Sequence, residues 1–177
     1  MMFFTQKGKV FWMRVYEIPE GGKNTKGRAI QNLINIEQDD KVKAFLVTED
    51  LKDEDYVNSH YVIMATKKGQ VKKTSLEQYS RPRTNGINAI TIKEGDELLE
   101  AKLTTGDSQV MLALQSGKAI RFEEEKTRPM GRTASGVRGI RLQHDQDEVI
   151  GMVAVNDKES NILVVSEKGY GKRSNLE

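Results

Sequence analysis

The stretch VIMATKKGQVKK, residues 62–73, sets a pattern that the rest of the chain repeats. A short apolar run enters a polar turn, a glycine closes the turn, and a second extended segment leaves it. Four or five consecutive apolar residues suit a strand covered on both faces and are too few for a buried helix. Glycine at the turn supplies the positive φ that a tight hairpin demands and that a Cβ would strain. The same arrangement recurs in MFFTQKGKVFWM from Met2, VMLALQSGKAIRF from Val110 and ILVVSEKGYGKR from Ile162. Its glycines, Gly8, Gly69, Gly117 and Gly169, stand 61, 48 and 52 residues apart.

Two further landmarks follow in constant order. A second glycine comes 19, 17 and 19 residues after the first, at Gly27, Gly86 and Gly136. Each precedes a segment that reads as an alternating strand: RAIQNLINI, INAITI and VRGIRL. Then an acidic turn leads into another apolar run, in QDDKVKAFLV from Gln38, EGDELLEAKL from Glu94 and DQDEVIGMVAV from Asp145. A period near fifty residues with about four strands per unit predicts an all-β fold, a β-pinwheel or propeller-like array of four-stranded units. The expected units are about 1–61, 62–109 and 110–161, with an incomplete fourth at 162–177. That last unit reaches only its first hairpin, so the chain reads as a partial array, with unpaired strand edges that invite swapping or dimerisation. No window keeps a helical period; Ser75–Tyr79 and Glu123–Lys126 are the weak helical candidates.

Composition narrows the function. Charged residues make up 31% and hydrophobic ones 37%, and there is no cysteine, which excludes disulfides and thiolate zinc sites. No apolar stretch approaches the length of a membrane-spanning helix or a secretory signal. The net charge of +2 hides alternating blocks: +4 over residues 1–36, −5 over 37–60, +6 over 61–93, −4 over 94–107 and +5 over 126–141. If equivalent blocks stack side by side, one edge becomes basic and another acidic.

Catalytic patterns fail on inspection. His60 and His144 stand alone, outside any metal-binding spacing. GKNTKGRA, residues 22–29, imitates a phosphate loop but has Arg28 and Ala29 where Lys and Ser/Thr are needed. Gly169-Tyr170-Gly171 lacks the third glycine of a dinucleotide site, because Ser174 occupies it. Asp39-Asp40, Asp96-Glu97 and Asp147-Glu148 recur in register, which suits solvated turns or hydrogen bonds to turn amides better than acid/base pairs; calcium binding is the alternative. No catalytic residue and no metal site is therefore expected.

What does recur is a cationic loop ahead of the second glycine. EGGKNTKGRAI carries Lys23, Lys26 and Arg28; SRPRTNGINAI carries Arg81 and Arg83; KTRPMGRTASGVRGI carries Lys126, Arg128, Arg132 and Arg138. Hairpin strands add Lys72 and Lys73, Lys118 and Arg121, and Lys172 and Arg173. Arginine and lysine neutralise phosphates, while interspersed Asn24, Thr25, Thr84, Asn85, Thr133 and Ser135 can hydrogen-bond phosphate oxygens. No aromatic platform for single strands interleaves these loops, and no recognition helix is evident. The expected ligand is double-stranded DNA, gripped by its backbone along a curved path. A protein-interaction propeller is the rival reading.

At these loops the sequence resembles the family of C-terminal domains found in gyrase A, the cleavage-bearing component of DNA gyrase, a type II topoisomerase. The similarity runs through essentially the whole chain and is most specific in GKVFWMRVYEIPE (residues 8–20) and RPMGRTASGVRGIRL (128–142). VKKTSLEQYSRPRTNGINAITI and EKGYGKRS agree as well. Topoisomerase IV has a related domain, but the regular glycine motifs favour gyrase. The resemblance implies a β-pinwheel whose neighbouring units exchange strands and whose basic rim wraps DNA in support of ATP-dependent supercoiling. It implies no cofactor for this stretch, with ATP and Mg2+ bound elsewhere in the parent. It also implies as partners the N-terminal cleavage core and gyrase B, with no membrane and no small-molecule substrate, in the bacterial cytoplasm. The family's glutamine-arginine-glycine-lysine box is not present and would lie upstream. The family's cleavage tyrosine follows an arginine, whereas none of Tyr16, Tyr56, Tyr61, Tyr79 or Tyr170 does.

Overall fold

The computed structural model describes residues 1–157 and 159–176. Its strands are β1 (Met2–Thr5), β2 (Lys9–Trp12), β3 (Val42–Leu46), β4 (Tyr61–Thr66), β5 (Gln70–Ser75), β6 (Ile87–Asn88) and β7 (Leu98–Thr104). They continue with β8 (Gln109–Leu114), β9 (Ala119–Glu123), β10 (Val137–Arg138), β11 (Val149–Val155), β12 (Asn161–Val165) and β13 (Gly171–Asn175). A six-residue helix, α1 (Glu54–Ser59), precedes β4. The four glycine turns close four antiparallel hairpins, β1–β2, β4–β5, β8–β9 and β12–β13. Gly8, Gly69, Gly117 and Gly169 hold φ of 86°, 85°, 86° and 81°, the left-handed geometry expected from the sequence.

Each apolar run after an acidic turn adds a third strand on the outer side of its hairpin: β3 on β1, β7 on β4 and β11 on β8. The fourth strand comes from the next stretch of chain. The first sheet has the order β3-β1-β2-β6 and the second β10-β5-β4-β7, so β6 and β10 each leave their own hairpin to complete the preceding sheet. The third sheet, β11-β8-β9, and the pair β12-β13 lack such a strand among the described residues.

The core lies between the sheets. Phe4, Val10, Val62, Met64, Tyr79 and Ile90 fill the gap between the first two sheets, and Ile63, Val71, Leu112 and Ile140 fill the next. Strand β4 is thus covered on both faces, which is why its run of apolar residues is unbroken rather than alternating. Tyr79 is fully buried, packs edge-on to Phe4 with ring centroids 6.0 Å apart, and donates its hydroxyl to the Ala89 carbonyl at 2.9 Å.

Two local expectations need correction. RAIQNLINI forms no strand: Ile30–Asn32 is a 3-10 turn, and Ile34 and Ile36 fold over the outer face of the first sheet against Phe3, Phe11 and Met13. Its counterparts become β6 and β10 by adding to β2 and β5; among the described residues no hairpin precedes β1 for residues 28–36 to join. Gly27, unlike Gly86 and Gly136, is not in the left-handed region. Helix α1 has no counterpart in the periodicity of the sequence. The Asp53 side chain accepts from the Asp55 and Tyr56 amides and so caps its start, while Val57 anchors it to the core. The candidates at Ser75–Tyr79 and Glu123–Lys126 are 3-10 turns over Leu76–Tyr79 and Glu124–Lys126.

Candidate nucleic-acid interface

The acidic turns hold the hairpins. Asp40 accepts from the amides of Lys7 at 3.1 Å and Lys41 at 2.8 Å. Asp96 accepts from the amides of Lys68 at 2.9 Å and Glu97 at 2.8 Å. Asp147 accepts from the amides of Ser116, Glu148 and Gln143 and from the Ser116 hydroxyl. Lys7, Lys68 and Ser116 each precede a hairpin glycine, so three aspartates clip three turns in the same way. Burial works against the Asp147 carboxylate, yet the Gln143, Ser116 and Glu148 hydrogen bonds hold it below the ordinary range. Carboxylates committed to amides and lysines do not gather as a calcium site; among the described residues no three acidic or histidine side chains converge.

Around these clips lies a set of neutralised lysines. Lys7 pairs with Glu37 at 3.0 Å and Asp39 at 2.7 Å, and Lys9 with Glu37 at 2.6 Å. Hydrogen bonds to Asp39 and Glu37 push Lys7 up to about 12, and those from Lys9 and Lys7 bring Glu37 down to about 2. Lys67 reaches Glu97 at 2.7 Å and Glu148 at 3.5 Å. The acidic register of the sequence therefore sits at the glycine-turn ends of the hairpins, already matched with local cations.

The loop cations stand apart from that system. Lys23, Lys26, Arg28, Arg81, Arg83, Arg128 and Arg138 are exposed, and Arg132 is half-buried. Among the described residues none of them has a carboxylate within 4.0 Å, whereas Lys126 pairs with Glu123 at 3.4 Å. The loops of the second and third hairpins leave the far ends of β5 and β9, away from the clipped turns. Arg81 and Arg83 from one loop and Arg132 from the next line a common cleft of about 350 Å³, with Glu77, Gln78 and Ile87 on its walls. The third loop is docked onto the second and its flanks: Met130 donates its amide to the Lys73 carbonyl at 2.8 Å, and Thr91 donates its hydroxyl to the Thr133 carbonyl at 2.7 Å. The Thr91 amide bonds the Ala134 carbonyl at 3.2 Å, and the Arg132 guanidinium lies 3.4 Å from the Asn88 carbonyl. Asn35 donates to the Asn85 side chain at 2.8 Å and ties the first repeat to the second loop.

The remaining candidates lie elsewhere, and two of them are corrected. Lys72 is wholly buried; its ammonium donates to the Ala89 carbonyl at 2.5 Å and to the Arg132 carbonyl. Burial, with the nearby Arg132 charge, lowers its pKa to about 7. Lys73 is also buried, 3.3 Å from Glu124 and 3.2 Å from the Gly106 carbonyl, with its ammonium 4.3 Å over the Tyr61 ring. Neither head group can reach a ligand. Lys72 occupies the third position after the hairpin glycine, where the first hairpin carries the buried Phe11, the third the exposed Ile120 and the fourth the exposed Lys172, so that register alone does not mark its burial. Lys118 donates to Gln143 at 2.6 Å, and Arg121 donates to the Leu176 carbonyl between the third sheet and the last hairpin. Lys172 and Arg173 are exposed on β13. The cleft walls, Gln78 and Ile87 above all, are not legible in the sequence, because no charge pattern marks them.

Residues 22–29 form an exposed loop, with the Gly22 amide on the Thr25 hydroxyl at 2.9 Å, and lead only into a three-residue 3-10 turn. A strand–loop–helix cradle for nucleotide phosphates is a different geometry. No described helix is long and apolar enough to cross a membrane.

The family described as DNA gyrase C-terminal domain, beta-propeller, matches residues 1–49, 60–105, 110–156 and 160–177. The gyrase A protein of Salmonella typhimurium is 43% identical over 174 residues, covering 98% of this chain and 19% of its own length. The gyrase A protein of Staphylococcus epidermidis is 42% identical over 175 residues, again 98% of this chain and 19% of its own. The chain therefore spans about a fifth of the length of these relatives. Among solved structures, the C-terminal domain of DNA topoisomerase IV superposes with a TM-score of 0.84 at 27% identity, over 99% of this chain and 53% of its own. The DNA gyrase A C-terminal domain gives 0.80 at 24% identity, over 99% and 54%, a likeness of fold alone.

Proposed function

The chain belongs to the DNA gyrase C-terminal domain family, and from that premise we propose that it binds and bends double-stranded DNA with little regard to sequence. One observation carries the reading: arginines from two successive loops, Arg81 and Arg83 with Arg132, converge on one cleft while lacking a carboxylate within 4.0 Å among the described residues. Cations already neutralised by protein, such as Lys7 and Lys67, gain little from a phosphate; unpaired ones release counterions when they meet it. Lys23, Lys26, Arg28, Arg128 and Arg138 extend the same exposed set, with Lys172 and Arg173 on the last hairpin. Bending duplex DNA by 40–90° over 20–30 base pairs costs about 1–6 kcal/mol, which several spread phosphate contacts offset and one does not.

In the whole protein this stretch serves as the wrapping module of an ATP-dependent type II topoisomerase that supercoils DNA in the bacterial cytoplasm. Strand cleavage, ATP and Mg2+ then belong to the N-terminal core and to gyrase B, which are its partners. The gyrase A relatives are 42–43% identical over 98% of the chain, and this favours gyrase as the parent; the solved domains, 27% identical for topoisomerase IV and 24% for gyrase A, do not separate the two.

The test is a mobility shift with two unrelated duplexes of about 100 base pairs, read together with a bending assay. Equal affinity for both and a bend greater than in free DNA support the reading. Preference for one sequence, or binding of single strands only, contradicts it.

A further inference from the structure

The cleft is composite, since its arginines come from loops more than forty residues apart in sequence. Its capacity to hold a phosphate group depends on the register between those loops. Thr91 and Met130 fix the flanks of the third loop, at Thr133, Ala134 and the Lys73 carbonyl. The residue whose guanidinium enters the cleft, Arg132, is held at its own carbonyl by a different group, the buried Lys72 ammonium. The same ammonium donates to the Ala89 carbonyl, at the end of the segment that carries Arg81 and Arg83. The Ala89 carbonyl also accepts from the Tyr79 hydroxyl at 2.9 Å, so the anchor on that side is held twice. A lysine is a costly choice here, because the equivalent position of the first hairpin is the buried Phe11, whose ring packs on Gly86. Packing alone would accept another apolar side chain; where Phe11 sets its ring against Gly86, Lys72 brings only its Cβ near Gly136 and carries its ammonium on to two carbonyls.

We infer that Lys72 is a positioning residue for phosphate binding: it clamps the Arg132 loop to the Arg81–Arg83 segment and so assembles the three guanidinium groups into one seat. This inference rests on the proposed DNA binding. Lys72 never touches the ligand; it sets the spacing at which two loops can share one phosphate.

The experiment is a double-mutant cycle on duplex affinity with Lys72→Met, Arg132→Ala and the two combined, beside the triple variant Arg81→Ala, Arg83→Ala, Arg132→Ala. Amide exchange of residues 131–135 is followed in parallel. Lys72→Met is expected to weaken binding roughly fivefold and to speed exchange at 131–135, and adding Arg132→Ala to it is expected to cost little more, because the guanidinium is already misplaced. Fully additive losses, or unchanged affinity in Lys72→Met while the triple variant binds poorly, overturn the clamp and leave DNA binding standing. A triple variant that binds like the parent protein overturns both, by removing the seat itself. Should Lys72→Met not fold, Lys72→Gln, whose shorter amide cannot span both carbonyls, replaces it with the same expected pattern.

Discussion

Replacing Gly69 and, separately, Gly117 by alanine separates the demand of the hairpin turn from the demand of the exchanged strand. Both glycines sit at nearly the same φ, 85° and 86°, so the left-handed strain on an alanine is the same, about 1–2 kcal/mol. Their surroundings differ. A Cβ on Gly69 would stand 2.8 Å from the Ile140 carbonyl oxygen and 3.1 Å from its Cγ2, whereas a Cβ on Gly117 meets nothing within 4 Å. The atom in the way is backbone, and it belongs to the segment whose Gly139 amide bonds the Gly69 carbonyl at 2.8 Å. Relieving the clash moves that segment and forfeits the bond; leaving the half-buried Gly139 amide unpaired costs about 1–3 kcal/mol. Gly117→Ala should therefore lose about 1–2 kcal/mol and Gly69→Ala about 2–5 kcal/mol. Urea unfolding followed by circular dichroism gives the two midpoints, and amide exchange at Gly139 and Ile140 reports the exchanged strand directly. Equal losses in the two variants, with protection at Gly139 unchanged in Gly69→Ala, would refute the claim that adjoining repeats are locked by close backbone contact at the hairpin glycine.

Two other outcomes test the frame on which the loops are carried. Asp40→Ala strips the acceptor from the Lys7 and Lys41 amides and should destabilise the protein by about 2–4 kcal/mol, whereas Asp39→Ala, which removes only an exposed partner of Lys7, should leave the urea midpoint unchanged. Lys72 titrates near 7 in the fold against 10.5 in a free lysine, so over that interval the unfolded chain binds the extra proton. Its contribution is complete above 10.5 and is lost as the pH falls toward 7; the urea midpoint should rise from pH 7 to pH 9, and Lys72→Met should abolish that rise.

The repeat made most of this architecture readable in advance. Turn, glycine and apolar run are local features, and Gly8, Gly69, Gly117 and Gly169 behave alike because a hairpin needs nothing beyond its own residues. Strand identity after the second glycine is not local. INAITI and VRGIRL add to β2 and β5, the hairpins before their own, and RAIQNLINI, equally alternating, has no hairpin before β1 to join among the described residues. The cations divide along the same line. Arg81, Arg83 and Arg128 lie in loops, where sequence position is enough to place a charge outside. Lys72 and Lys73 lie on a strand covered on both faces, where only knowledge of the neighbouring sheet distinguishes a ligand contact from a buried brace. The acidic turns were recognisable as amide acceptors from their recurrence, yet nothing in their composition indicated that each grips the residue before the hairpin glycine.

Titrating duplex affinity against salt, for the parent protein and for the triple variant Arg81→Ala, Arg83→Ala, Arg132→Ala, tests the central claim most directly. Log affinity of the parent should fall linearly with log salt, at about 0.9 per phosphate neutralised, and the triple variant should show a slope shallower by roughly 2–3 on any duplex sequence. A parent slope near zero, or a slope untouched by loss of the three arginines, would contradict it.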